Sequence, residues 1–185
     1  MGRSIELVNA VGGGDIHSEL DLNKLLNDLD VPIKRYDPEY HPSLYVRFEK
    51  EGATILIFRT GKYNIAGAES VQDLVTSNKE LLTRLTNLGI ETSKSESSFE
   101  IRNLVFSSEF ESEFKLEALT VGLGLEYTEY EPEQFPGVQY TPHGGGGTFL
   151  IFRTGKIILT GVNKTDKAKH MFEDLEETLL NMGAI

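Results

Sequence analysis

His143 stands before four glycines, Gly144 to Gly147, and a histidine at the mouth of a glycine run has the form of an oxyanion loop for ester hydrolysis. That chemistry needs a nucleophile on a sharp G-x-S-x-G turn, and the chain holds no such sequence; the segment reads as a flexible hairpin loop. Lys62 and Lys156 each follow a glycine, as the lysine of a phosphate-cradling loop does, but neither precedes Ser or Thr and the upstream glycine spacing is missing. His17, His41, His143 and His170 fall at no ligand spacing, and there is no cysteine, which removes thiol nucleophiles, disulfides and cysteine-bound zinc or iron–sulfur centres. No catalysis, metal or cofactor is expected. Asn163-Lys164-Thr165 matches a glycosylation sequon, but the first residues, MGRSIELVNA, lack a signal-peptide apolar block. No run approaches the ~18 apolar residues of a membrane span. A cytoplasmic location is the expectation, and the sequon is read as chance.

What remains is a phrase that occurs twice: LIFRTGK at Leu56 to Lys62 and again at Leu150 to Lys156. The offset is 94, and it holds elsewhere without slippage. Asn9 falls on Asn103, Val11 on Val105, Tyr36-Asp37-Pro38-Glu39 on Tyr130-Glu131-Pro132-Glu133, Gly67 on Gly161, and Asn87-Leu88-Gly89 on Asn181-Met182-Gly183. Such a constant shift marks two copies of one unit, 1–94 and 95–185.

Each copy reads as the same series of elements. A strand (4–11 and 99–106) leads to a short leucine-rich helix (20–29 and 114–123). Strands follow near 43–49, 53–60 and 62–67, the last two joined by a tight turn at Thr60-Gly61, repeated at Thr154-Gly155. A long helix closes each unit. In the first copy leucines 74, 81, 85 and 88 recur at helical spacing before Gly89, a C-terminal stop; in the second it runs from Thr165 to Met182. Two such α+β units most simply join edge to edge as one antiparallel sheet with all helices on one face. In TFLIFRTGKIILTG the alternate residues Leu150, Phe152, Thr154, Lys156, Ile158 and Thr160 share a face, and Phe149 and Ile151 lie opposite. Both faces are partly apolar, so the side without helices is expected to meet a partner.

These phrases, in this order and over nearly the whole chain, resemble the TATA-binding protein family: Asn9 and Val11, Asn103 and Val105 on the first strands, YEPEQFPG at 130–137, and LIFRTGKIILTG at 150–161. The acidic composition and the arginine after LIF resemble versions from salt-loving archaea. The resemblance implies a saddle of two pseudo-symmetric repeats, one curved antiparallel sheet with helices on its convex face. It implies minor-groove binding and bending of A·T-rich promoter DNA, the standing example of minor-groove kinking, and recruitment of transcription factor B and then RNA polymerase. A·T pairs show only acceptors in that groove, so a reader there needs a few donors over an apolar floor. Carried over, Asn9 and Asn103 supply amide donors. Val11, Val105, Leu56, Leu150, Ile158 and Thr160 form the floor, and Phe135, Phe152 and Phe58 wedge base steps. Arg47, Lys62 and Lys156, with Thr60 and Thr154 at the turns, complete the DNA-binding set; Arg59 and Arg153 are expected to add phosphate contacts. Glu131, Glu133 and Gln134 match the segment that contacts transcription factor B. A homodimer in the absence of DNA is left open.

The first copy departs from this pattern. His41 occupies a wedge position, Asn64 and Ala66 stand opposite Ile158 and Thr160, and GGGD at 12–15 stands opposite FSSE at 106–109. A protein-interaction adaptor with weakened DNA binding is therefore the rival reading, ahead of a small-molecule role for which only the histidines speak.

Charge has to be reconciled with DNA. The net charge is -11; residues 1–94 hold 11 basic and 14 acidic groups, and 95–185 hold 7 and 15. The glutamates at 109, 111, 113, 117, 126, 129, 131 and 133 are expected mostly away from the helix-free face. In molar salt the Debye length falls to about 3 Å, so repulsion is screened and apolar wedges carry the affinity.

Overall fold

The computed structural model describes residues 4–94 and 98–185; the expected junction between the copies, at 94 and 95, adjoins residues outside that set. By contact the chain divides into Asn9–Arg102 on one hand and Met1–Val8 with Asn103–Ile185 on the other.

The first unit contains β1 (Glu6–Asp15, from Asn9 onward), α1 (Leu22–Asp28), β2 (Ile33–Arg35), β3 (Ser43–Arg47), β4 (Thr54–Phe58), β5 (Lys62–Ala68) and α2 (Val71–Asn87). Its strands lie in the order β2-β3-β4-β5-β1, all antiparallel. Alternation decides which side is core. Leu44, Val46, Ile55, Ile57, Tyr63 and Ile65 are fully buried beneath the helices, while Tyr45, Leu56, Phe58 and Asn64 between them are half-buried on the other side. The long helix starts because the Ser70 side chain accepts from the Asp73 backbone N–H at 3.0 Å. It stops at Gly89 (φ 81), where the N–H of Gly89 bonds Thr86 O and that of Ile90 bonds Leu85 O, the paired closure that a left-handed residue permits. Leu74, Leu81 and Leu85 are buried as their spacing predicts. Leu88 is not: it caps the helix and is exposed.

The second unit follows the same plan with β6 (Glu100–Glu109, from Asn103 onward), α3 (Leu116–Leu123), a 3-10 turn (Leu125–Tyr127), β7 (Thr128–Glu129), β8 (Gly137–Tyr140), β9 (Thr148–Phe152), β10 (Lys156–Val162) and α4 (Thr165–Asn181). Its order is β6-β10-β9-β8-β7. Phe149, Ile151, Ile157 and Leu159 are fully buried. Phe149 meets Phe172 of α4 edge-on at 5.3 Å and stacks on Tyr140 at 6.2 Å.

Two features were not expected. The edge strands β2 and β7 are three and two residues long, too short to carry a period. β1 also runs on through Gly12, Gly13 and Gly14 to Asp15. Each glycine makes room for a side chain from elsewhere. A Cβ on Gly12 would lie 2.8 Å from the Phe99 ring; one on Gly13, 2.8 Å from Asn64 Oδ1 and 2.9 Å from the Arg102 guanidinium carbon; one on Gly14, 2.5 Å from the Tyr63 hydroxyl. That hydroxyl donates to Asn78 Oδ1 at 2.6 Å. The second repeat fills the corresponding space with Ser108, Ile157 and Phe172, a different packing of the same frame.

Candidate nucleic-acid interface

The answer to the repeated phrase lies in its turn. In each hairpin the glycine N–H bonds back to the phenylalanine carbonyl, Gly61 to Phe58 at 2.9 Å and Gly155 to Phe152 at 3.1 Å. The glycine φ values are 88 and 92, and added side chains would collide with the backbone carbonyls of Ser18 and Phe110, so only glycine fits. The turn is then tied to the segment after the first strand: Ile16 N–H to Gly61 O and Leu20 N–H to Arg59 O, matched by Phe110 to Gly155 and Phe114 to Arg153. Phe58 and Phe152 are thereby held at fixed points. Thr60 and Thr154 are exposed within these turns; Thr154 does not extend the strand face as its parity suggested, because β9 ends at Phe152.

Register makes the helix-free side of each unit legible row by row. In the second, Glu129, Gln139, Leu150, Ile158 and Ser107 pair across five strands. The matching row of the first is Arg35, Tyr45, Leu56, Asn64 and Gly13. Val11 and Val105 are half-buried, as are Leu56, Leu150, Ile158 and Thr160, whereas Lys62 and Lys156 are exposed. Glu129 therefore stands on the helix-free face, an exception among the glutamates expected mostly away from it. With Glu131, Phe135 and Leu150 it borders a concavity of about 310 Å³. The two-residue strand β7 carries it there, and no period in the sequence announces so short a strand.

The asparagines are fixed by the backbone. Asn9 Oδ1 accepts from Gly67 N–H at 2.9 Å, and Asn103 Oδ1 accepts from Gly161 N–H at 2.8 Å. Since the oxygen is the atom engaged, each amide has its Nδ2 left as a donor. Asn103 Nδ2 lies 3.2 Å from Thr160 Oγ1; Asn9 Nδ2 has no such hydroxyl, because Ala66 stands in the threonine's place.

The aromatic ends differ. Phe135 and Phe152 meet edge-on with centroids 5.6 Å apart, both half-buried. In the first unit the exposed His41 has its Nδ1 2.8 Å from Ser43 Oγ, and Phe58 is half-buried. Arg47 lies 5.7 Å from the centre of the Tyr45 ring, its Nε donating to Thr54 Oγ1 at 3.0 Å. Arg59 pairs with Glu19 at 3.7 Å, both well exposed. Glu131, Glu133 and Gln134 form an exposed turn in which Gln134 and Glu131 bond through side chains and backbone.

One residue escaped the sequence reading. Arg102 Nη1 donates to Asn64 Oδ1 at 2.6 Å, which brings a guanidinium to the row that holds Leu56. The signal available was the joint appearance of Asn64 and Gly13, a hydrogen-bonding group and a gap, where the other repeat has Ile158 and Ser107. The structure thus brings Asn9, Val11, His41, Arg47, Leu56, Phe58, Thr60 and Lys62 into one unit. It brings Asn103, Val105, Phe135, Leu150, Phe152, Thr154, Lys156, Ile158 and Thr160 into the other. Among the described residues no cluster of His, Asp and Glu could hold a metal ion, and no helix is long and apolar enough to cross a membrane.

Comparison with known proteins agrees with this arrangement. The family model "Transcription factor TFIID (or TATA-binding protein, TBP)" matches residues 4–88 and again 98–182. TATA-box-binding protein C of Halobacterium salinarum is 41% identical over 170 residues, covering 92% of this chain and 94% of that one. TATA-box-binding protein 2 of Haloferax volcanii is 37% identical over 182 residues, 98% and 96%. The solved structure of Methanococcus jannaschii TBP superposes with a TM-score of 0.80 at 30% identity, covering 96% of this chain and 99% of that one, so the α+β fold expected from the sequence stands. The chain belongs to the TATA-binding protein family.

Proposed function

We propose that this protein is a general transcription initiation factor that binds A·T-rich promoter DNA in the minor groove, bends it, and recruits transcription factor B and through it RNA polymerase. The observation that carries the reading is the helix-free face of each repeat. It combines a backbone-pinned asparagine, Asn9 or Asn103, with half-exposed apolar side chains in register, Leu56 and Phe58 or Leu150, Phe152 and Ile158. A·T pairs offer only acceptors in the minor groove, and amide donors above an apolar floor match that edge. Burying a phenylalanine contributes roughly 1.5–3 kcal/mol, comparable with the few kcal/mol needed to unstack a base step. The two repeats, 1–94 and 95–185, each carry one such face. The exposed turn with Glu131, Glu133 and Gln134 is the surface for transcription factor B. The names of the relatives favour the promoter-binding reading over an adaptor.

Footprinting on a duplex with a TATA box, with and without transcription factor B, tests it. Protection of the box by the protein alone, extended and strengthened by transcription factor B, is expected. Absence of protection at every salt concentration contradicts DNA binding, and protection unaffected by transcription factor B contradicts the assignment of the acidic turn.

A further inference from the structure

The two repeats agree where a turn has to be built and differ where an aromatic ring would meet a base. In the second, Phe135 stands against Phe152 above Gly137, and a Cβ on that glycine would lie 3.0 Å from the Phe135 ring and 3.2 Å from the Phe152 ring. The glycine is what lets the two rings close. The corresponding residues of the first repeat are His41, Phe58 and Ser43, and Ser43 pairs with Phe58 across β3 and β4 as Gly137 pairs with Phe152 across β8 and β9. Ser43 is buried, and its Oγ lies 2.8 Å from His41 Nδ1. A ring–glycine couple has been exchanged for a ring–serine couple, and the two changes belong together: the hydroxyl crowds a phenyl pair but anchors an imidazole. When the serine hydroxyl donates to Nδ1 the neutral ring carries its proton on Nε2, and the imidazolium carries one there as well, so in both forms Nε2–H is a donor.

The neighbouring positions shift in the same sense. Arg35 stands where the second repeat has Glu129, and Asn64, holding the Arg102 guanidinium, stands where it has Ile158. At these two positions the first face is cationic and polar where the second is acidic and apolar.

Resting on the minor-groove reading above, we infer that the two repeats hold DNA by different chemistry. The second inserts its phenylalanine pair and kinks the duplex. The first presents His41 Nε2–H as a hydrogen-bond donor to a minor-groove acceptor and leaves the adjoining base step stacked. DNA is then sharply bent at one end of the site only, and the protein reads its site with a polarity.

The test is a symmetric A·T-rich duplex carrying 2-aminopurine at both outer steps, bound at saturation in high salt. Unstacking raises the fluorescence of this base. The wild type is expected to give about half the increase of the double variant His41→Phe/Ser43→Gly, which copies the second repeat, and a smaller bend by energy transfer between end labels. His41→Phe alone is expected to stay near the wild-type value, because the serine side chain occupies the space the ring pair needs. The reverse exchange, Phe135→His with Gly137→Ser, is expected to remove the remaining signal while circular dichroism shows the fold intact. Equal increases from the wild type and the double variant would overturn the inference while leaving the DNA-binding reading in place. Failure of the wild type to bind the duplex would overturn both.

Discussion

Asn103 Oδ1 accepts a hydrogen bond from the backbone N–H of Gly161 at 2.8 Å, and Asn9 does the same with Gly67 at 2.9 Å. The strand-end glycine, left-handed in both repeats (φ 82 and 84), presents its N–H to the side-chain oxygen, so the part of the asparagine left to meet a ligand is a donor.

Asn103→Asp separates the donor from the anchor. A carboxylate still accepts from Gly161 N–H, so the thermal midpoint should stay nearly unchanged. The donor is lost and a negative charge put in its place, and affinity for an A·T duplex should fall by roughly 1–3 kcal/mol or more, about 5–150-fold, the worth of a good base-edge contact. Fluorescence anisotropy checks the affinity and calorimetry the thermal midpoint. A loss of stability with unchanged affinity would make Asn103 a structural residue only.

The Tyr63 hydroxyl, buried against Asn78, is the polar heart of the first repeat. Tyr63→Phe leaves the Asn78 amide without its partner and should destabilise by about 1–3 kcal/mol. Gly14→Ser, which puts a side chain where the phenol lies, should cost more. Recovery is expected only when Tyr63→Ile and Asn78→Phe are added, the residues of the second repeat. Burial pushes the Tyr63 phenol up to about 12, against the lowering pull of Arg102. Below pH about 10 folded and unfolded chains are both protonated there and the contribution is complete. Between 10 and 12 the unfolded chain ionises first, so stability falls with rising pH, and Tyr63→Phe should flatten that limb of the denaturation curve.

Salt should act weakly on DNA binding. The chain has a net charge of -11, Arg59 is already paired with Glu19, and Glu129 faces the same side as Leu150. Few phosphates are then neutralised, and affinity should change less than about tenfold from low to high KCl, where a protein with many phosphate contacts loses on the order of 10³ or more. A gel-shift titration that fell that steeply would show charge, and not apolar contact, to be the main source of affinity.

Much of this was legible beforehand because the informative letters are local. LIFRTGK encodes its own hairpin, and alternation along TFLIF separates Phe149 and Ile151, buried, from Leu150 and Phe152, half-exposed. What escaped depends on partners distant in sequence or on elements too short to have a period. Arg102 meets Asn64 across 38 positions. Glu129 reaches the helix-free face on a strand of two residues. Gly12 to Gly14 stand in the sequence only as a departure from the second copy, and Phe99, Arg102 and Tyr63 account for them by filling their places. His41 was visible as a missing phenylalanine, but its tie to Ser43 follows only from the register of β3 against β4.

The central claim is that an apolar side chain on the helix-free face grips DNA, and the affinity of Phe152→Ala for a TATA duplex in high salt tests it most directly. The substitution removes a half-buried ring that touches Phe135 but lies outside the core. Affinity should drop at least tenfold, the equivalent of roughly 1.5–3 kcal/mol of lost apolar burial, with the fold retained. Binding as tight as the wild type by a folded Phe152→Ala would contradict the account.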